Sequence, residues 1–186
     1  MKKEEFFKKY NLEEINEEDG FVIDIVYATD RNFLKRRLYD SSICILRKET
    51  KEKLVNANNE LKKYGYKIKI WDAYRSITTQ KLMWECLPDE RFVSNPDKQM
   101  CNHCKGSAVD ITLCTLDGKE VEMPTVFDFF GEESFRSSYN KCSNEVQENV
   151  TLLEEIMIKY GFIPYKYEWW HFNDADTYEI IKEDYR

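Results

Sequence analysis

Among its 186 residues the chain has only two histidines, four prolines and six glycines. No apolar run approaches the roughly 18 residues that a membrane-spanning helix needs, so the sequence predicts no transmembrane segment. A basic tract is also missing, and the formal net charge is −7. Phosphate backbones are bound by clustered positive charge, so nucleic acid is not an expected partner. Net charge does not fix the charge of a small substrate, because a pocket can be locally positive. The opening MKKEEFFKKYNLEE carries neither the apolar run nor the small-residue cleavage site of a signal peptide, which predicts a cytoplasmic protein. No internal repeat, long linker or low-complexity stretch is present.

The length suits one domain with a sizeable core. The expected division is a single domain over 1–186, with an N-terminal extension (1–19), a core (20–172) and a C-terminal tail (173–186). Cysteines stand at 44, 86, 101, 104, 114 and 142. An even number permits disulfides, but a chain this long with no leader does not read as a stapled secreted fold. Cys44 and Cys114 lie in apolar runs and read as small buried residues.

Hydrophobic periodicity predicts a short charged helix over 4–9 and strands over 20–29 and 42–47. It predicts a helix over 51–64, stopped by Gly65, and a strand over 66–75, where YKIKIWDAYR opens with strict alternation. A helix follows over 78–86, then an irregular stretch over 88–105 of the kind that often forms a functional loop. The strand over 107–113 is followed by a turn at Asp117–Gly118. Residues 124–139 carry no clear pattern. Val146, Val150, Leu153, Met157 and Tyr160 form a helical stripe over 145–160, ended by Gly161. Residues 166–172 read as extended. Helices interleave with hairpin-like strands without a regular βαβ rhythm. The expectation is an α+β single domain with a mainly antiparallel or mixed central sheet flanked by helices.

The two histidines sit in informative company. His103 lies in CNHCKGSAVD, and His171 in YEWWHF. Asp110 stands between Val109 and Ile111, where an unpaired carboxylate would be costly to bury. Gly106 allows a turn between His103 and that strand, so His103 and Asp110 can converge on one centre. With His171 they would fill three corners of a tetrahedral zinc and leave the fourth for water. Two structural histidines are the competing reading. Glu168 precedes His171 by three residues, and residues three apart on a regular strand face opposite ways. It can share the site only if the chain bends there, and it would then serve as general base. Arg75, at the end of WDAYR, is either surface charge or an oxyanion stabiliser. The Cys101–Cys104 pair lacks the further ligands of a closed zinc knuckle and the context of a redox motif.

The segment CNHCKGSAVD resembles the S-x-H-x-x-G-x-A-x-D motif of the zinc D-Ala-D-Ala dipeptidases, the VanX-type enzymes. EWWH at 168–171 is similar to that family's second motif, and WDAYR to its arginine-bearing segment. YATDRNF at 27–33, with Leu38–Tyr39, and MPTVFDFF at 123–130 resemble further family stretches. The similarity runs over residues 20–172. It implies a fold like that of the Hedgehog and DD-peptidase group. It further implies one Zn2+ per chain on His103, Asp110 and His171, Glu168 as catalytic base and Arg75 as catalytic arginine. The implied reaction cleaves the dipeptide D-Ala-D-Ala to two D-alanines. Cys101, Tyr27, Asp30 and Trp170 are candidates for holding the substrate. Cys101 replaces the motif's first serine, Cys104 stands where serine is common, and Pro124 replaces a glycine. Such changes bear on the substrate more than on the reaction. The alternatives are a D,D- or L,D-carboxypeptidase acting on longer cell-wall peptides, or an inactive zinc-containing recognition protein. The chain is expected as a monomer or homodimer with a small dipeptide substrate and no membrane partner.

Overall fold

The computed structural model describes residues 2–98 and 100–184; the last two residues of the expected tail, 185 and 186, lie outside them. In chain order the elements are α1 (Lys3–Tyr10), β1 (Leu12–Ile15), β2 (Val22–Ile23), β3 (Cys44–Arg47), α2 (Lys48–Leu61) and β4 (Tyr66–Asp72). They continue with α3 (Ile77–Cys86), β5 (Ala108–Thr115), α4 (Asn144–Lys159), β6 (Phe162–Pro164) and β7 (His171–Asp174). β1 pairs with β3 in a small antiparallel sheet, and the main sheet runs β2-β4-β5-β7-β6. Only β2 and β4 are parallel within it. The expected α+β domain with a mixed sheet is what forms.

Helix ends follow their local chemistry. Ser143 accepts a hydrogen bond from Val146 N at 3.3 Å and caps α4. Gly65 and Gly161 follow the helical segments at φ 87° and 85°, a region that suits glycine. α2 and α4 pack on each other and on the sheet. Leu54, Ala57 and Leu61 meet Val150, Leu153 and Met157 in the main core. Val109, Ile111 and Leu113 of β5 join that core and alternate with Asp110 and Thr112 on the other face. Each fully buried aliphatic side chain contributes roughly 1.5–3 kcal/mol.

The chain ends are built into the fold. Phe6, Leu12, Ile45, Tyr74 and Ile181 form a second buried cluster, and Ile181 N donates to Cys104 O at 2.9 Å. Cys44 and Cys114 are buried, as expected. Among the described residues no helix is long and apolar enough to cross a membrane.

Two expected strands differ. The strand over 20–29 is reduced to Val22–Ile23, because the chain then turns helically at Val26–Ala28. Ala28 N and Thr29 N bond back to Ile25 O and Val26 O, which removes Tyr27 from the sheet. Residues 167–170 form turns, and the extended run begins only at His171.

That second turn is held by Arg136, from the stretch without a sequence pattern. Arg136 Nε donates to Tyr165 O at 2.8 Å, and Nη2 donates to Trp169 O and His171 O, each at 3.0 Å. Glu154 pairs with its Nη1, and Phe172 lies under the guanidinium at 4.6 Å. Replacement Arg136→Ala leaves three carbonyls without this donor and is expected to destabilise the protein by about 2–4 kcal/mol. The measurement is the denaturant midpoint at unchanged slope; a shift worth under about 0.5 kcal/mol, as at an ordinary surface site, would contradict the clasp.

Candidate active site

Asp110 leaves β5 in the middle of the sheet. The register sets it opposite Asp72 of β4 on one side and His171 of β7 on the other. Directly opposed residues project to one face with Cβ atoms about 4.5–5.5 Å apart. Ile70 pairs with Ile111, so a regular β4 would turn Asp72 to the face of Ile70. An irregularity between Ile70 and Asp72 inserts one residue and brings Asp72 to the face of Asp110. Asp72, Asp110 and His171 therefore stand in a row.

His103 arrives from a helical turn, His103–Lys105, closed by Gly106 at φ 69°. A Cβ at Gly106 would meet Leu12 Cδ2 at 3.2 Å, so both the turn and the packing favour glycine. His103 Nε2 lies 3.2 Å from His171 Nδ1 and 3.3 Å from Asp110 Oδ2. His171 Nδ1 lies 2.9 Å from Asp110 Oδ1.

The remaining ring nitrogens fix the tautomers. His103 Nδ1 donates to Ala73 O at 2.6 Å, and His171 Nε2 donates to Asn173 Oδ1 at 2.9 Å. Asn102 Nδ2 also donates to Asn173 Oδ1, at 2.8 Å. This leaves His103 Nε2 and His171 Nδ1 as lone-pair donors facing each other and Asp110. Two imidazole lone pairs and a carboxylate converging in a buried place repel unless a cation lies between them. The set matches the three-ligand, open-position arrangement that zinc takes in catalytic sites. One ligand atom from each residue lies within 4.8 Å of the others, so the residues fit the metal.

Glu168 joins this group through the bend. His171 N donates to Glu168 O at 3.3 Å, and Trp169 N to Ser134 O at 3.0 Å. Glu168 Oε2 then lies 3.8 Å from His171 Nδ1. Burial, and next the charges of Asp110 and Asp128, hold its carboxyl well above the usual range. Asp110 is buried too, but the facing His103 and His171 outweigh that and hold it well below the usual range. Burial lowers His171; it opposes the charge of His103 too, but there the charge and hydrogen bond of Asp110, with the charge of Asp72, together outweigh it and raise the ring.

Arg75 is 6% exposed and lies beyond the end of β4. Its Nε and Nη2 donate to Asp72 Oδ2 at 3.1 and 2.8 Å, and Nη1 to Gln80 Oε1 at 2.9 Å. Burial opposes its charge, but Asp72, Tyr39, Tyr27 and Cys101 together outweigh it and raise the guanidinium further above its ordinary value. Tyr39 OH donates to Asp72 Oδ1 at 2.8 Å, so the carboxylate that fixes Arg75 is itself fixed.

A cavity of about 290 Å³ lies over these groups, and Tyr27, Arg75, Cys101, His103, Asp110, Glu168, Trp170 and His171 all line it. Cys101 Sγ donates to Gln80 Oε1 at 3.3 Å. Asp30 is a correction: it is exposed at the turn after Thr29 and does not line the cavity. The carboxylate on that side belongs to Asp128, at φ 58°. Tyr27 OH donates to Asp128 Oδ1 at 2.8 Å, and Phe33 N to Oδ2 at 3.4 Å. Burial pushes Asp128 up to about 7 despite the Tyr27 hydrogen bond. Asp128 lies inside MPTVFDFF, and its signals in the sequence were an acid among apolar residues and the resemblance of that stretch to the family.

The family model described as D-ala-D-ala dipeptidase matches residues 9–185. The chain belongs to this family. It is therefore a peptidase of the D-Ala-D-Ala dipeptidase type. The D-alanyl-D-alanine dipeptidase of Escherichia coli K12 is 29% identical over 165 residues, covering 88% of this chain and 84% of the relative. The enzyme of Enterococcus faecium is 31% identical, covering 80% and 83%, and that of Enterococcus faecalis 31%, covering 87% of each. Among solved structures, the LdcB LD-carboxypeptidase superposes over 70% of this chain and 59% of its own, with 20% identity and a TM-score of 0.48.

The hydrogen bond from His171 to Asn173 generates a prediction. Asn173→Ala is expected to weaken zinc binding by about 10–100-fold, read by competition with a chromogenic chelator. Unchanged affinity would remove Asn173 from the tautomer-fixing role.

Proposed function

We propose that the protein hydrolyses the free dipeptide D-Ala-D-Ala to two D-alanines, using one zinc per chain and Glu168 as general base. The observation that carries this reading is the convergence of Glu168, Arg75 and Asp128 on one cavity with the His103–Asp110–His171 donor set. Bound by those three residues, zinc would supply Lewis acidity toward the scissile carbonyl and acidify a water.

The chain's own groups supply the rest. Glu168, its carboxyl made more basic by burial and by Asp110 and Asp128, takes a proton from the attacking water and passes it to the departing amine. Arg75, immobilised by Asp72 and Gln80, meets the negative charge that develops on the carbonyl oxygen, and its fixed position spares reorganisation. Asp128, braced by Tyr27, accepts the substrate's ammonium group. Cys101 stands at the cavity wall with its thiol turned to Gln80, so it leaves a narrower and less polar surface than a free hydroxyl would.

The direct test is D-alanine release from D-Ala-D-Ala by reduced, zinc-loaded protein. Glu168→Ala is expected to lower kcat by about 10²–10⁴-fold with zinc retained. Hydrolysis at the wild-type rate in the metal-loaded variant would sink the assignment.

Asp128 gives a pH dependence. With its carboxyl at about 7 in the substrate-free protein, it is neutral in acid and ionised in base. The ammonium ligand favours the ionised form, so affinity weakens as pH falls through that value. Binding of D-Ala-D-Ala to the Glu168→Ala variant by calorimetry isolates this effect from turnover. Affinity is expected to fall toward pH 5.5, and Asp128→Asn to bind weakly with no such slope. A pH-independent affinity in the Glu168→Ala protein would contradict the ammonium role.

A further inference from the structure

We propose that Phe33, Phe92 and Phe130 form an aromatic barrier that restricts this cleft to an unextended dipeptide. The inference rests on the proposed dipeptide hydrolysis and names the residues that set its substrate length. All three rings line the cavity. The Phe130 ring centre lies 5.0 Å from that of Phe33, edge to face at 82°, and 5.0 Å from that of Phe92. They come from three separate segments: the loop after Tyr27, the irregular stretch after α3, and the chain just past Asp128.

Their position relative to Asp128 gives the barrier its meaning. Phe130 follows Asp128 by two residues, and Phe33 N donates to the Asp128 carboxylate at 3.4 Å. The three rings and Asp128 line the same cavity, which sets the barrier at the end that is proposed to receive the substrate's amino nitrogen. In a dipeptide the chain ends at that nitrogen. In a longer peptide the next residue leaves from it and needs the volume the rings occupy. Its nitrogen is then a neutral amide, which leaves the carboxylate without its cation.

The barrier is also anchored, so a longer peptide cannot displace it at small cost. Gln80 Nε2 donates to Ser94 O at 2.7 Å, and Tyr165 OH to Glu90 O at 3.1 Å, pinning the segment that carries Phe92 on both sides. Val93, next to Phe92, is buried. Phe92 further contacts Phe135, at 6.1 Å between ring centres.

The experiment compares wild type, Phe130→Ala and Phe92→Ala, each zinc-loaded. D-Alanine release is measured from D-Ala-D-Ala and from the tripeptide L-Ala-D-Ala-D-Ala. The ratio of kcat/KM for tripeptide over dipeptide is expected to rise about tenfold or more in each alanine variant, the scale on which a steric pocket discriminates. Phe130→Leu, which keeps most of the bulk, is expected to shift the ratio less. Two variants in separate chain segments, with zinc content and circular dichroism as checks, guard against a single misfolded protein. An unchanged ratio in the folded alanine variants overturns the barrier, as does a wild type that takes both peptides equally well. A wild type that releases no D-alanine from D-Ala-D-Ala overturns the dipeptidase reading itself, and the barrier with it. The first two failures leave that reading standing, so the outcomes are separable.

Discussion

The guanidinium of Arg136 holds the geometry on which the site depends. Glu168 and His171 are three residues apart and would face opposite ways on a regular strand. They meet because the chain between them turns, and a turn inside a domain leaves carbonyls that need donors. Arg136 supplies them to Tyr165, Trp169 and His171 at once. A lysine could not, because its point charge lacks the planar fork that reaches several acceptors in fixed directions. The two tryptophans of the bend finish the fixation. Trp169 is fully buried, with Nε1 on Thr125 Oγ1 at 2.9 Å, and Trp170 is 1% exposed against the cavity.

The sheet contributes the other half of the geometry. Asp110 is held by pairing on both sides, so it moves only if the central strands move. The single inserted residue in β4 puts Asp72 beside it, and Asp72 in turn orients Arg75. The buried arginine, the central carboxylate and the facing imidazole are thus set by three adjacent strands. Loops then complete the cavity with Asp128 and the aromatic rings. The sheet thus fixes the groups that demand exact placement, and pinned loop segments supply the cavity walls.

Much of this was legible in the residues. The helices α2, α3 and α4 and the strands β4 and β5 follow from periodicity, because their apolar faces are long enough to repeat. A charged carboxylate between Val109 and Ile111 announced itself by its cost, and the need for a bend before His171 followed from strand geometry. β1 and β6 were not legible. LEEI and FIP are too short for any period, and their pairing is decided by partners far along the chain. Asp128 was missed for a related reason. A lone acid in an unpatterned stretch becomes a site only when the fold sets Tyr27 and Phe33 against it. Asp30, like Asp128, sits in a segment that resembles the family, and nothing local distinguishes it from a site residue. Its exposure follows from the helical turn at Val26–Ala28, which directs Tyr27 inward and leaves Asp30 and Arg31 outside.

Charge balance connects these parts. Asp110, Asp128 and Glu168 face one small cavity, with Asp72 just behind, while Arg75 is the cation buried among them. Arg75 is largely committed to Asp72, so a deficit of positive charge remains at two places. One lies between Asp110 and the two imidazoles, where the lone pairs converge; the other lies at Asp128, whose burial already drives it toward neutrality. The proposed zinc would answer the first, and the ammonium of the proposed substrate the second. The two seats are different in kind, because the first has three fixed ligands and the second has one carboxylate braced by a phenol. That difference suits a resident cofactor at one end and a ligand that must leave at the other. On the proposed reaction a zwitterionic dipeptide would bring its cation to the second seat and its carbonyl to the first, whereas a blocked or extended amino group would leave the Asp128 end uncompensated.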